Sequence, residues 1–262
     1  MSKSRQRGAT VSVRSFGVTF PHGRNVLPHT SIPPRALDWH KLIYATRGVL
    51  TVRANETAWV APAHRAVWIP AGIDFQVQMH GTVALRALYL ETGRRFFAGA
   101  TRGCAVVNVS PLLRELIQRT VHIGALDANV RQQARLAAVI FDELRVLVAQ
   151  PLQLPAPRDP RAEKFASLVE AGRGSDKRGS TQQALRQAGG SRRTLERIFR
   201  QETGMSLGQW LRRQKLLDAL RRLAAGDTVN SIAFDLGYNS ASAFIAMFRR
   251  ELGQTPTWYF EA

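Results

Sequence analysis

Between positions 191 and 202 the chain carries Arg192, Arg193, Glu196, Arg197 and Arg200, several of them three or four residues apart. On a helix that spacing puts them on one side. An arginine guanidinium can donate two hydrogen bonds to the O6 and N7 edge of guanine in a major groove. A carboxylate such as Glu196 can accept one from cytosine N4. Two adjacent pairs follow further along, Arg212 with Arg213 and Arg249 with Arg250. Pairs of this kind suit backbone phosphates, which orient a protein on a duplex without reporting its sequence.

Such groups act only if a scaffold presents them, and two segments share a plan that would. In 180–202, Ser180 can cap a helix and Gln183 can complete a capping box. Gly189 and Gly190 end that helix, and Ser191 caps a second one with Leu195, Ile198 and Phe199 on its apolar face. In 228–252, Thr228 caps a short helix, Gly237 turns it, and Ser240 caps another with Phe244, Met247 and Phe248 inward. Each is a helix, a tight glycine turn and a helix, that is, a helix-turn-helix. Between them, in 206–226, Trp210, Leu211, Gln214, Leu217 and Leu220 fall on one helix face. A helix over 206–224 is roughly 27 Å long. Successive major-groove faces lie about 34 Å apart, so a strut of this order can hold two reading heads to one side of a duplex.

The chain has 262 residues, with 37 Lys+Arg against 19 Asp+Glu, a formal charge of +18. That excess favours a polyanionic partner, DNA or RNA. At 45% hydrophobic the chain can bury a real core. The single cysteine, Cys104, excludes internal disulfides and a Cys-rich zinc site, and is expected to be inert packing. No run of about 18 apolar residues is present, which argues against a spanning helix. MSKSRQRGAT is basic but no apolar stretch follows it, so no secretory signal is read and a cytoplasmic location is expected.

Residues 42–109 read as short strands. In DFQVQMH (74–80), Phe75, Val77 and Met79 alternate with polar neighbours. LIYA (42–45), VLTVR (49–53), TAWVA (57–61), AVWIP (66–70) and VALRALYL (83–90) are β-branched and aromatic. Many short strands at this spacing predict a sandwich or small barrel. Ser110-Pro111 then opens a helix, and a second is predicted from about Ala128 to Ala149. This pair covers the barrel or forms a dimer interface. PLQLPAPRDPR (151–161) holds four prolines in eleven residues and reads as a semi-rigid linker. The expected organisation is a basic flexible arm at 1–24, a β domain at 25–109, a helical pair at 110–150, a linker at 151–160 and a helical module at 161–262. The fold class is α+β with two domains.

IAFDLGYNSASAFIAMFRRELGQTPTWYF (232–260) resembles the C-terminal signature of the AraC/XylS-type transcription regulators. The matching residues are Ile232-Ala233, Gly237-Tyr238, Ser240 with Ser242 and Phe244, Phe248-Arg249, and Gly253 with Thr255-Pro256 and Tyr259. SRRTLERIFRQETGMS (191–206) fits the family's first reading helix. The resemblance covers about 161–260. It implies an all-α module with two helix-turn-helix motifs on a linker helix, contact with RNA polymerase, and base-facing positions at Arg193, Glu196 and Arg197, with Thr194 beside them near the backbone. Arg192 and Arg200 join the phosphate grips. Two departures stand out. Ala246 occupies a position where the family often has arginine, and Leu185 follows Ala184 where the family commonly has the reverse order. Either Asn239, Ala241 and Ser242 read bases, or readout there is weak and Ser240, Arg249 and Arg250 hold phosphate.

DWHKLIYATRGVLTV (38–52) and WVAPAHRAVWIPAGIDFQV (59–77) resemble the cupin-like barrel or jelly-roll domains of one branch of this family. The positions that hold metal ligands in a metal-binding cupin here carry Arg35, Leu37 and Phe75, and neither leucine nor phenylalanine ligates a metal. His29, His40 and His64 share no evident site. No metal, cofactor or catalytic residue is therefore expected. The domain could hold a small effector among Arg35, Trp39, Tyr44, Trp68 and Phe75, and Arg35 would suit an anion.

The resulting expectation is a bacterial-type, sequence-specific DNA-binding transcriptional regulator. It would not be an enzyme, would be effector-responsive, could form homodimers, and would be nucleoid-associated through promoter DNA. Its rivals are a cupin-type metalloenzyme fused to a DNA module and a ligand-independent architectural DNA binder.

Overall fold

The structure, a computed structural model, describes residues 11–20, 26–28, 39–63, 65–93, 96, 103–147, 149–150, 152–171 and 179–257. They fall into two units: residues up to Asn55 with Ala61–Pro151, and Glu56–Val60 with Leu152–Ala262.

The first unit contains β1 (Val11–Phe20), β2 (Val26–Pro28), β3 (His40–Ala45), β4 (Val49–Ala54) and the end of β5 (Thr57–Pro62). It continues with β6 (Arg65–Ile69), β7 (Gln76–His80), β8 (Val83–Leu90), β9 (Ala105–Asn108), α1 (Pro111–Ile123), β10 (Ala125–Asp127), α2 (Arg131–Arg145) and β11 (Ala149–Gln150). Seven strands form an antiparallel sheet in the order β10-β1-β8-β3-β6-β9-β11. A second ladder pairs β7 with β4 and with β2. Phe75, Val77 and Met79 are buried and Gln76 is exposed, as the alternation required.

Both helices pack on the seven-stranded sheet. Leu113 and Ile117 of α1 and Ala137, Ile140, Phe141 and Leu144 of α2 join Leu42, Tyr44, Trp68 and Leu88 in one core. The Ser110 hydroxyl caps α1 by accepting from Leu113 N–H at 3.0 Å, and Pro111 follows it. Helix α2 is shorter than its periodicity implied. Asp127 takes part in β10, opposite Val11, and its carboxylate accepts from Asn129 N–H at 2.8 Å, which folds a turn. The helix therefore starts at Arg131, and Ala149 beyond it pairs with Val107 as a strand.

Residues 11–20, expected to belong to a flexible arm, are instead a ten-residue strand. β1 lies along β8 from Val13 opposite Leu90 to Phe20 opposite Val83, and Val13 is fully buried. The basic residues around it masked the strand. The free edge of β8 supplies the backbone partners that make it one.

The second unit adds β12 (Gln153–Pro155), α3 (Pro160–Ala171), α4 (Gly179–Gln187), α5 (Arg192–Thr203), α6 (Leu207–Ala225), α7 (Val229–Asp235) and α8 (Ala241–Leu252). The proline-rich stretch is not a bare linker. Gln153, Leu154 and Pro155 pair with Trp59, Ala58 and Thr57. The Trp210 indole N–H donates to the Pro155 carbonyl at 2.8 Å. An aromatic core anchors α3, α5 and α6, with ring centroids 5.8 Å apart for Phe165–Phe199 and 5.1 Å for Phe199–Trp210.

Candidate nucleic-acid interface

Each helix-turn-helix is fixed at its turn by backbone chemistry. Gly189 has φ +75 and Gly237 φ +78, a region in which a side chain is strained. The serine after each turn caps the next helix. Ser191 accepts from Thr194 N–H at 3.1 Å and Ser240 from Ala243 N–H at 3.2 Å. Thr228 caps α7 by accepting from Ser231 N–H at 3.2 Å. The first helix of the first pair differs from expectation. α4 begins at Gly179, so Ser180 lies in its first turn.

Helix α5 buries Leu195, Ile198 and Phe199, which turns the opposite side outward. Arg192, Arg193, Arg197 and Arg200 are all exposed there, with Glu196 and Thr194 half-buried at its margins. Arg197 Nη1 donates to Gln201 Oε1 at 2.9 Å, one turn on. The Thr194 hydroxyl is engaged with Ser191 Oγ at 2.9 Å, within the cap.

Helix α8 buries Phe244, Met247 and Phe248. Asn239, Ser240, Ser242, Ala243, Ala246, Arg249 and Arg250 are exposed, and Ala241 is half-buried. A hollow of about 630 Å³ runs beside Ser242, Ala246 and Arg249.

Helix α6, between the two heads, carries a complete capping box. Ser206 Oγ accepts from Gln209 N–H at 3.2 Å, and Gln209 Oε1 accepts from Ser206 N–H at 2.8 Å. Its nineteen residues span about 28 Å. Trp210, Gln214, Leu217 and Leu220 are buried as the pattern required, and Leu211 only half so. Arg212 is exposed. Arg213 is less accessible as a phosphate grip than Arg212. It is half-buried, its Nη1 is shielded from solvent without a hydrogen bond, and desolvation pulls its pKa below the ordinary value. One residue step of about 100° around the helix separates an outward from an inward guanidinium.

Two cations on α6 act in a way the sequence did not disclose. Lys215 Nζ donates to the Leu236 carbonyl at 2.6 Å. Arg222 donates to Asp227 at 2.6 Å and to Asp235 at 2.7 Å. They stand seven residues apart, two turns along one side, and together hold α7 against the strut. The spacing was legible. The carbonyl and carboxylates that meet it come from a later segment and were not.

Of the five residues expected around an effector, the four that are described do not converge. Arg35 lies outside the described residues. Tyr44 and Trp68 belong to the core beneath α1 and α2. Trp39 is half-buried beneath the Arg14 guanidinium, 5.4 Å from the ring centroid. Phe75 is on the other side of β3, where Lys41 Nζ sits 5.5 Å from its ring. Strand geometry explains the split, because neighbouring residues of β3 face opposite ways. Lys41 is only 1% exposed and donates to the Trp39 carbonyl at 3.0 Å. A lysine inside the apolar run HKLIYA was the available signal for it.

Of the three histidines considered, His29 and His64 lie outside the described residues, as does Leu37. His40 Nδ1 accepts from Ala71 N–H at 3.1 Å, and its ring stacks on Trp68 at 5.1 Å. Burial, then Lys41, lowers its pKa. Among the described residues no group of three or more His, Cys, Asp or Glu is placed to hold a metal. Among them, too, no helix is long and apolar enough to cross a membrane.

Two capped helix-turn-helix units on a rigid helix, each turning polar or small side chains outward, define a DNA-binding module of the double-headed kind. Residues 185–262 match the helix-turn-helix domain family and residues 23–144 match the AraC-like ligand binding domain family. The HTH-type transcriptional regulator NimR of Escherichia coli K12 is 34% identical over 219 residues, 84% of this chain and 78% of its own length. The regulatory protein SoxS of Salmonella typhimurium LT2 is 39% identical over 75 residues, 28% of this chain and 70% of its own. Among solved structures, the DNA-binding domain of the transcriptional factor AdpA, in complex with a target DNA, is 35% identical. It covers 39% of this chain and 90% of its own, with a TM-score of 0.33. The chain belongs to the AraC family of transcriptional regulators. It is a DNA-binding regulator with an AraC-like ligand-binding domain.

Proposed function

We propose that α5 and α8 enter adjacent major grooves on one face of a duplex, with α6 setting their separation. The observation that carries this reading is the twin arrangement on a strut. Two serine-capped helices, one before and one after a helix about 28 Å long in the chain, leave their non-core sides exposed. Arg193, Glu196 and Arg197 read bases from α5, with Thr194 holding the helix start. Ser242 and Ala241 face bases from α8, with Asn239 at its entry. Arg192, Arg200, Arg212, Arg249 and Arg250 hold phosphates, and Ser240 approaches the backbone at the helix start. Footprinting of the full-length protein on a selected binding site tests this. Two protected patches about 10 base pairs apart are expected. A single patch overturns it.

The protein acts as a regulator and not as an enzyme. It works in the cytoplasm on promoter DNA and in contact with RNA polymerase. A small effector meets the AraC-like ligand-binding domain of the β unit. Effector binding changes promoter occupancy by favouring one arrangement of the chain over another. Exposed Leu112 on α1 and Val139 on α2, 51% and 40% accessible, support a second copy docking on that helical pair.

A further inference from the structure

The two reading helices start alike and can be compared position by position. Counting from the capping serines, Ser191 and Ser240, Arg193 of α5 corresponds to Ser242 of α8. Thr194 corresponds to Ala243, Glu196 to Ile245, Arg197 to Ala246 and Arg200 to Arg249. At about 100° per residue, corresponding positions point the same way from their helices. Arg197 and Ala246 are both exposed, opposite the buried phenylalanines of their own helix. The outward side of α5 is therefore made of long hydrogen-bonding groups. That of α8 is a hydroxymethyl, two methyls and the edge of a half-buried isoleucine. A cation returns only in the last turn.

Ala246 lines the hollow beside this face with its single methyl. The described residues that line the hollow are Ser242, Ile245, Ala246, Arg249, Arg250 and Thr255, with no carboxylate among them. A major groove offers such a surface little to bond. Guanine and adenine present acceptors and donors that a methyl cannot answer. Thymine presents its C5-methyl group, which packs against alanine or a similar apolar side chain. A short side chain also lets the helix backbone come closer to the base edges, with Arg249 and Arg250 one turn further on to meet phosphate.

We infer that α8 recognises thymine methyl groups, with Ala246 as the central contact and Ala243 and Ile245 beside it. The DNA target is then chemically split into a guanine-bearing half read by α5 and a thymine-bearing half read by α8. This rests on the two-groove reading proposed above.

The test uses the full-length protein to select duplexes from a random pool. The half-site where Arg197→Ala loses its base preference belongs to α5, and the other to α8. Thymine is expected at the centre of the α8 half. Replacing it with uracil removes the methyl and keeps the pairing, and should weaken binding about fourfold per methyl. Uracil in the α5 half should change little. Ala246→Arg, at an exposed position, should fold normally and shift the selected base from thymine to guanine. Guanine selected there by the unaltered protein overturns the inference. So does an indifferent response to uracil while the footprint still covers both grooves, which leaves the two-groove reading standing. A footprint confined to one groove overturns both.

Discussion

Lys215 Nζ donates to the carbonyl oxygen of Leu236 at 2.6 Å, with the ammonium 5.7 Å from the Tyr238 ring. Leu236 is the C-cap of α7, so the cation sits where the helix's unpaired carbonyls converge. Seven residues on, Arg222 ties the same strut to Asp227 before α7 and to Asp235 at its end. The second head thus owes its orientation to two side chains of α6 that touch no DNA in the proposed arrangement. Lys215→Met keeps the apolar stem and removes the donor. It is expected to lower unfolding free energy by about 1–2 kcal/mol in urea melts, and to weaken recognition in the α8 half-site while sparing the α5 half. Unchanged melts and unchanged selectivity would show that the bond positions nothing.

Arg197 and Arg249 are assigned different work, and the two are separable. Arg197→Ala is expected to relax base preference in the α5 half, with a loss of about 1–3 kcal/mol against the preferred duplex. Arg249→Ala should weaken all duplexes alike and reduce the slope of log affinity against log salt by about one. Equal losses on preferred and random duplexes from both variants would refute the division.

Burial pushes the Cys104 thiol up to about 12, so almost no thiolate is present near neutral pH. Iodoacetamide at pH 8 is expected to leave it unmodified in the native protein and to modify it fully in denaturant. Rapid native labelling, followed by mass spectrometry, would contradict the raised pKa of this half-buried thiol.

Asp159 makes one contribution to the acid side of the fold's pH dependence. Hydrogen bonds from Arg161, side chain first and then backbone, hold its carboxyl at about 2. The native pKa is below that of the unfolded chain, so the unfolded state takes up the proton first. Its contribution is complete above pH 4 and is lost as the pH falls towards 2. The stability gap between the unaltered protein and Asp159→Asn should narrow over that interval in thermal melts. A gap constant from pH 5 to 2 would exclude the linkage.

Much of the DNA-binding module was legible locally. Ser191, Ser206, Thr228 and Ser240 announce helix starts because a hydroxyl satisfies backbone N–H groups within three residues of itself. Gly189 and Gly237 announce turns for an equally local reason, and the apolar spacing of Leu195, Ile198 and Phe199 names the side that faces inward. Strand alternation at 74–80 likewise needed no distant partner.

What the chain could not declare by itself depended on partners far away in sequence. β1 is a strand because the edge of β8 lies beside it, and Gln153–Pro155 is a strand because Thr57–Trp59 accepts it. Arg213 turned inward and Lys41 became buried through packing, which no run of neighbours encodes. Tyr44 and Phe75 look alike as sensor aromatics until the pleat of β3 sends Tyr44 to the helices and Lys41 towards Phe75. Caps, turns and amphipathic faces are short-range and were determined by the sequence alone. Edge pairing and the side to which a charge is buried are long-range, and only the tertiary structure decided them.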